Sequence, residues 1–130
     1  MWPSLEIELG YFAGFLDGEG CFWLDGCPRI AVSNTYPAIL TRLQRRFGGT
    51  VRKMSNSNPR ARPCFQWYIS GAGALYICRT LAPYLVEKRR QAELLQRWDL
   101  YPPNSAMRRA LIAELKASKR IPYEQNNTSC

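Results

Sequence analysis

The first apolar residues of the chain recur at helical spacing. Their period predicts a helix from Ser4 to Gly18, because side chains about one turn apart then face a common core. Ser4 suits the N-cap position, and the acidic residues that follow it lie near the positive end of the helix dipole. The predicted core stripe consists of Leu5, Leu9, Phe12 and Leu16.

Apolar and polar residues then alternate with period two, which is typical of half-buried strands. This pattern predicts two hairpins, separated by a helix that opens near Pro37 and stops at Gly48-Gly49. Asp25-Gly26 is a turn signal for the first hairpin. The predicted strands are Cys21–Asp25, Arg29–Ser33, Thr50–Met54 and Cys64–Ser70.

Helical spacing returns after the second hairpin, where Pro83 and Pro102-Pro103 separate three segments: 72–82, 86–98 and 106–117. The element order α-β-β-α-β-β-α, with extra C-terminal helices, predicts an α+β fold. Helices cover one face of the hairpins and leave the other face bare. We expect a single domain over residues 1–120 and a frayed tail over residues 121–130.

Composition excludes several classes of protein. Hydrophobic residues at 46% argue for a folded globule. No apolar run approaches the roughly 20 residues of a membrane span, and the start does not resemble a signal peptide, so we expect an intracellular protein without a membrane partner. The five cysteines form no CxxC pair and are expected to be reduced, mostly as small core residues.

Charge and the absence of histidine narrow the chemistry. The formal net charge of +8 suggests a polyanionic partner, although a merely soluble basic protein remains open on charge alone. Without histidine the chain cannot form a Cys/His zinc finger, a histidine-based nuclease site or a Ser-His-Asp triad. Any metal must be bound mainly by carboxylate oxygens, which favours Mg²⁺ or a similar hard cation.

Glycines on one side of the first helix call for an explanation, because each costs about 0.8–1 kcal/mol relative to alanine. A strip of small residues lets another backbone approach closely. The alternative is that the glycines are tolerated there without a function, or that they allow a contact within the chain. The chain holds no second copy of this helix, so we expect the same helix of another copy, related by a two-fold axis. The predicted interface consists of Gly10, Ala13, Gly14 and Asp17.

Glu19 lies just past this helix, where the negative end of the dipole favours cations. Across the two-fold axis it would meet the Glu19 of the second copy. A divalent ion would relieve the repulsion between the two carboxylates. For Asp17, hydrogen bonding to backbone or to the opposite helix is favoured over metal ligation.

Residues 12–20, FAGFLDGEG, resemble the LAGLIDADG motif of homing endonucleases in its single-motif form. The resemblance implies an αββαββα fold with a saddle-shaped antiparallel sheet. It implies a homodimeric, site-specific endonuclease that cuts a long, near-palindromic site in double-stranded DNA and leaves short 3′ overhangs. The motif residues that match outright are Ala13, Gly14, Asp17 and Gly20.

Site residues follow from the resemblance by position. It puts the metal-binding acid on Glu19, with the Gly18 carbonyl as a neighbouring ligand. It puts a basic residue of the cleavage centre on Lys88, for which a solvated helix lysine is the alternative. Asn34 falls where a polar residue orders water, although it is shorter than the glutamine often found there and a structural role is favoured.

The implied cofactor is Mg²⁺ or Mn²⁺, while Ca²⁺ would bind without supporting cleavage. The implied partners are double-stranded DNA, a second copy of the chain and, in a maturase, intron RNA. The implied location is a bacterial cytoplasm or an organelle. An intron RNA maturase, a non-cleaving DNA-binding regulator on the same scaffold and a plain protein-interaction domain are the alternatives.

The bare sheet face is the expected DNA-reading surface, because the major groove admits a two-stranded ribbon. Arg29 and Arg52 suit guanine, Gln66 suits adenine and Asp25 suits cytosine. A one-residue register error would exchange the two faces. The side chains expected to point inward are Ile30, Val32, Val51, Phe65, Trp67 and Ile69. The predicted DNA contacts are Trp23, Asp25, Arg29, Ser33, Arg52, Met54, Arg60, Arg62, Gln66 and Tyr68.

Overall fold

The computed structural model describes residues 4–55 and 57–120. The helices are α1 (Leu5–Glu19), α2 (Pro37–Phe47), α3 (Ala72–Leu81), α4 (Arg89–Leu95) and α5 (Ala106–Ser118). The strands are β1 (Cys21–Leu24), β2 (Pro28–Asn34), β3 (Thr50–Lys53) and β4 (Phe65–Ser70). This order confirms the predicted α+β fold. The predicted frayed tail, 121–130, lies outside the described residues.

The strands form one antiparallel sheet in the order β1-β2-β4-β3. The second strand of each hairpin is therefore central, and β1 and β3 are edges. Ile30 lies opposite both Phe22 and Ile69, and Val32 lies opposite Trp67. Ile30, Val32 and Trp67 are buried, as the alternation predicts, whereas Val51, Phe65 and Ile69 are half-buried and pack at the margin of the core.

The apolar stripe of α1 packs into the core, but it begins one turn later than predicted. Leu9, Phe12 and Leu16 are buried. Leu5 is 53% exposed, so its assignment to the core stripe is wrong. It is the first residue of α1, and the buried residues of the helix begin at Leu9.

Helix α4 is shorter than the predicted helix over 86–98. The backbone N–H groups of Val86, Glu87 and Lys88 donate to the Asp17 carboxylate at 2.9, 3.1 and 2.8 Å. A distant carboxylate satisfies these donors, so the segment stays outside the helix, which begins at Arg89. Two short 3₁₀ turns, Ala82–Tyr84 and Trp98–Leu100, complete the region.

Gly49 shows why α2 stops where the sequence predicts. Its φ is +89°, and a Cβ there would lie 2.7 Å from the Tyr68 carbonyl oxygen. The Trp67 indole N–H donates to the Gly48 carbonyl oxygen at 2.9 Å. The turn is thus tied to β4, at a distance that only glycine permits.

Three cysteines of the described residues are free thiols, and they differ in burial. Cys78 is a buried free thiol, and burial raises its pKa to about 12, with a smaller opposing effect from Arg79. Cys27 and Cys64 are free thiols but only half-buried, so the expected core role holds for Cys78 alone among these three. Cys21 is disulfide-bonded, so the expectation that the cysteines are reduced is wrong for this residue. In the described part of the chain, no helix has the length and apolar character needed to cross a bilayer.

Candidate active site and nucleic-acid interface

The carboxyl end of α1 brings two oxygen ligands together. Glu19 is the last residue of the helix and is exposed. Gly20 donates its N–H to the Leu16 carbonyl oxygen at 2.8 Å, and a Cβ at Gly20 would lie 2.8 Å from that same oxygen. Glycine is therefore required for the sharp exit into β1. The Gly18 carbonyl group also lies in this last turn, where the helix itself supplies no further N–H donors.

This helix end fits a hard divalent cation in chemistry but not in ligand number. A carboxylate and a main-chain carbonyl are oxygen ligands of the kind that Mg²⁺ and Ca²⁺ prefer. Within residues 4–55 and 57–120, however, no three acidic, cysteine or histidine residues group closely enough to hold a metal. Glu19 and Gly18 of one chain supply part of a ligand set.

Asp17 joins this helix end to the segment before α4. Its carboxylate accepts the three backbone hydrogen bonds described above, and the Lys88 Nζ donates to the Asp17 carbonyl oxygen at 2.7 Å. The Lys88 ammonium group therefore lies at the last turn of α1, beside Gly18. The expected hydrogen bonding of the Asp17 side chain to backbone is confirmed, within its own chain. Its place at a dimer interface stays a prediction.

The glycine strip of α1 is an open surface. A Cβ added at Gly10, Gly14 or Gly18 would meet nothing within 4 Å, so no packing within the chain requires glycine there. Ala13 is fully buried beside Phe12, and its predicted place on the strip is wrong. With about 100° per residue, Ala13 turns away from the glycines and toward the core.

Two exposed apolar side chains extend this strip, and the sequence analysis missed them. Ile7 is 51% exposed and Tyr11 is 48% exposed. Together with Gly14 and Gly18 they recur at i, i+4, i+7 and i+11, which is one helical face. That spacing was the signal that could have found them. We call this surface the glycine face: Ile7, Gly10, Tyr11, Gly14 and Gly18.

The open face of the sheet carries most of the predicted DNA contacts. The register places Trp23 opposite Arg29, and Gln66 between Ser33 and Arg52. A shallow depression of about 330 Å³ lies here. It is lined by Trp23, Arg29, Ile30, Ala31, Arg52, Gln66, Tyr68 and Ile69.

Two arginine side chains on this face have partners within the chain. The Arg52 Nε and Nη2 donate to the Gln66 Oε1 at 3.1 and 2.9 Å, and the guanidinium carbon lies 5.6 Å from the centroid of the Tyr68 ring. The Arg29 Nε donates to the Asp25 carbonyl oxygen at 3.1 Å. These contacts orient the two planar guanidinium groups on the sheet face.

The remaining predicted contacts lie at one end of this face. The Ser33 hydroxyl donates to the Met54 sulfur at 3.5 Å. Met54 continues the pairing of β3 with the start of β4, because its N–H donates to the Cys64 carbonyl oxygen at 2.8 Å. Arg60 and Arg62 are exposed in the connection that follows.

Comparison with known proteins gives matches among solved structures alone: no protein-family model and no curated protein sequence matches the chain. The homing endonuclease I-CvuI, in complex with its target in the presence of Ca, matches with a TM-score of 0.72 and 23% identity over 95% of this chain and 87% of that one. The archaeal intron-encoded homing endonuclease I-Vdi141I, complexed with DNA, matches with a TM-score of 0.71 and 15% identity over 95% and 91%.

The chain has the LAGLIDADG homing-endonuclease fold. In the meganuclease I-AabMI, described as bound to uncleaved DNA, the match covers 85% of this chain but 43% of that one, with a TM-score of 0.60 and 23% identity. I-CvuI and I-Vdi141I are instead covered over most of their length. The likeness confirms the predicted resemblance in fold, and α1 carries the residues that resemble the LAGLIDADG motif.

Asn34 has a structural role at the end of β2 in this LAGLIDADG fold. Its Oδ1 accepts a hydrogen bond from the Tyr36 N–H at 2.9 Å, which shapes the turn into α2. This contact accounts for the residue type without a role in cleavage. The structural alternative that the sequence analysis favoured is therefore sufficient.

Lys119 is a basic residue near the LAGLIDADG helix that sequence reasoning did not find. It follows α5, and its Nζ donates to the Phe22 carbonyl oxygen in β1. Burial lowers the pKa of Lys119, and the positive charge of Lys88 lowers it further. Lys119 lies 97 residues after Phe22 in the chain, so no local pattern marked it.

Proposed function

We propose that this protein is a site-specific endonuclease of double-stranded DNA that acts as a homodimer. One juxtaposition carries the proposal: Glu19 ends the LAGLIDADG helix, and the Lys88 ammonium group is bonded to the same last turn. The DNA-bound state of I-CvuI and I-Vdi141I supports DNA as the substrate. The open sheet face supplies donors and acceptors suited to the major groove.

The glycine face is the proposed dimer interface. Nothing within the chain requires glycine at Gly10, Gly14 or Gly18, and the exposed Ile7 and Tyr11 gain burial if a second α1 packs against them. Pairing two copies of α1 would bring two Glu19 carboxylates to one place. The partial ligand set of one chain would then be completed by the second copy.

Cleavage would need charge stabilisation at the scissile phosphate, and the chain supplies groups for it. A divalent cation, when bound by Glu19 and the Gly18 carbonyl, would stabilise the phosphate charge and lower the pKa of a water molecule. The Lys88 ammonium group would offset negative charge on the reacting phosphate. Since the chain has no histidine, the proton of the attacking water would pass to ordered or bulk water.

The overall reaction follows from two copies on one duplex. Each copy would hydrolyse one phosphodiester, leaving short 3′ overhangs in a long, near-palindromic site. Mg²⁺ or Mn²⁺ is the proposed cofactor. Ca²⁺ is proposed to support binding alone, in keeping with the description of I-CvuI bound to its target in the presence of Ca.

Selection from a plasmid library tests this function. Supercoiled plasmids with a randomised insert are incubated with the parent protein and Mg²⁺, and linear products are sequenced. With the parent protein, the sequenced products are expected to share a near-palindromic cut site. A duplex of that sequence is called the recovered duplex from here on. Glu19→Gln should cut it at least about a hundredfold more slowly yet bind it in Ca²⁺. Glu6→Gln, an exposed acid in the first turn of the same helix, is the matched control.

Three results would overturn the proposal. Equal cleavage rates for the parent and Glu19→Gln would show that the Glu19 carboxylate has no role in cleavage. Tight, sequence-specific binding by the parent without any cleavage would identify a non-cleaving regulator instead. Preferential binding of structured intron RNA over every duplex would favour a maturase.

A further inference from the structure

Helix α5 lies outside the LAGLIDADG-like motif, and its C-terminal half packs against the core and against α4. Leu111 and Leu115 are buried in the core. Glu114 pairs with Arg90 at 2.6 Å and with Arg97 at 3.4 Å, which links α5 to α4. The residue that follows α5 is therefore positioned by packing on one side of the helix and ion pairs on the other.

Lys119 and Lys88 approach the LAGLIDADG helix end from different elements. The Lys88 Nζ donates to the carbonyl oxygen of Asp17, two residues before Glu19. The Lys119 Nζ donates to the carbonyl oxygen of Phe22, three residues after Glu19. The two ammonium groups thus contact the backbone on both sides of the proposed metal ligand.

Both lysines retain hydrogen-bonding capacity. An ammonium group has three N–H donors, and each lysine uses one of them on a main-chain carbonyl. Within residues 4–55 and 57–120, neither lysine forms an ion pair with a carboxylate. Lys119 is half-buried, and its lowered pKa reflects that burial first and the charge of Lys88 second. Two neighbouring cations without a carboxylate favour an anion between or beside them.

We propose that Lys119 is a second basic residue of the cleavage centre, delivered by α5, and that its ammonium group contacts a phosphate of the cleaved strand. The inference rests on the proposed endonuclease function. Lys119 would stabilise negative charge that grows on the phosphate during hydrolysis. An ordinary lysine that only bonds to the free edge of β1 would have no such effect, and this difference makes the inference testable.

Three full-length variants separate charge from structure. Lys119→Gln removes the charge but keeps an N–H donor, and Lys119→Arg keeps the charge. Lys116→Gln is the matched control, because Lys116 is an exposed lysine one turn earlier on α5. Single-turnover cleavage of the recovered duplex is measured in Mg²⁺. Binding of the same duplex is measured in Ca²⁺, and thermal unfolding is measured without DNA.

Lys119→Gln is expected to cleave about tenfold more slowly or worse, while its binding and unfolding stay close to those of Lys116→Gln. Lys119→Arg should recover most of the rate. A second readout does not depend on cleavage: the NMR signal of the Lys119 side chain should shift when the recovered duplex is added in Ca²⁺, and that of Lys116 should shift far less.

The failures are distinguishable. If the parent cuts the recovered duplex and Lys119→Gln cuts at the rate of Lys116→Gln, the inference is wrong and the endonuclease function stands. If Lys119→Gln and Lys119→Arg both lose thermal stability, and cleavage falls only in proportion to the folded fraction, Lys119 is structural. If the parent cuts no duplex, the proposed function is wrong, and the inference about Lys119 is wrong with it.

Discussion

Asp17 shows how one side chain can join two distant parts of the chain. Its two carboxylate oxygens accept from three backbone N–H groups in residues 86–88. Asp17→Asn keeps the size but replaces one accepting oxygen with a donor, so at least one of these N–H groups loses its partner. We expect the free energy of unfolding in urea to fall by about 1–3 kcal/mol. Asp25→Asn, in the exposed turn, is the control, and equal losses in both variants would contradict the assignment.

Arg52 tests the reading surface, provided that the protein binds DNA as proposed. Its guanidinium group is oriented by Gln66 and Tyr68 on the open sheet face. Arg52→Ala is expected to lose about 1–3 kcal/mol of binding to the recovered duplex and to relax preference at one base pair per half-site. Competition against singly substituted duplexes in Ca²⁺ measures this. Arg45→Ala, exposed on α2, should leave the preference unchanged, and an unchanged preference in both variants would argue against base reading by Arg52.

Single residues could be assigned from the sequence only where the motif or a local period defined their place. Glu19 and Lys88 were named from the resemblance, and the structure brings both to the end of α1. Ala13 was misplaced because it adjoins the glycines in sequence but lies on the buried side of the helix. Lys119 could not be found, because only the packing of α5 carries it to β1.

At the scale of elements, the glycines of α1 and of the α2–β3 turn have opposite roles. A Cβ at Gly49 would meet backbone at 2.7 Å with φ at +89°, whereas a Cβ at Gly14 would meet nothing within 4 Å. Gly49→Ala should destabilise the protein by at least about 1 kcal/mol in urea unfolding. Gly14→Ala, assayed where the protein is monomeric, should leave stability unchanged or raise it by up to about 1 kcal/mol. Equal destabilisation by both substitutions would mean that the chain itself uses Gly14.

The order of helices and strands could be predicted because helical and strand periods are local properties of the sequence. The start of α4 could not, since it depends on a carboxylate that lies 69–71 residues earlier in the chain. The strand order β1-β2-β4-β3 likewise depends on pairing between the two hairpins, which no local pattern specifies. The exposure of Leu5 depends on where the packed layer ends, and helical spacing alone does not give that boundary.

At the scale of the whole molecule, three surfaces have to act together. The sheet face would read DNA, the end of α1 would hold the cation and the lysines, and the glycine face would pair two copies. A net charge of +8 favours a polyanion but does not specify a dimer. Pairing through α1 is therefore the central claim, because without it each chain supplies one Glu19 and reads one half-site.

Sedimentation equilibrium of the parent and of Gly14→Leu tests that pairing most directly. A Cβ at Gly14 would meet nothing within 4 Å and the residue is exposed, so we expect a leucine there to leave the fold intact but to block the approach of a second α1. We predict a mass of twice the 14.9 kDa chain for the parent, and a single-chain mass with an unchanged circular dichroism spectrum for Gly14→Leu. A parent that stays monomeric both alone and on the recovered duplex, or a Gly14→Leu variant that dimerises as tightly as the parent, would contradict the account.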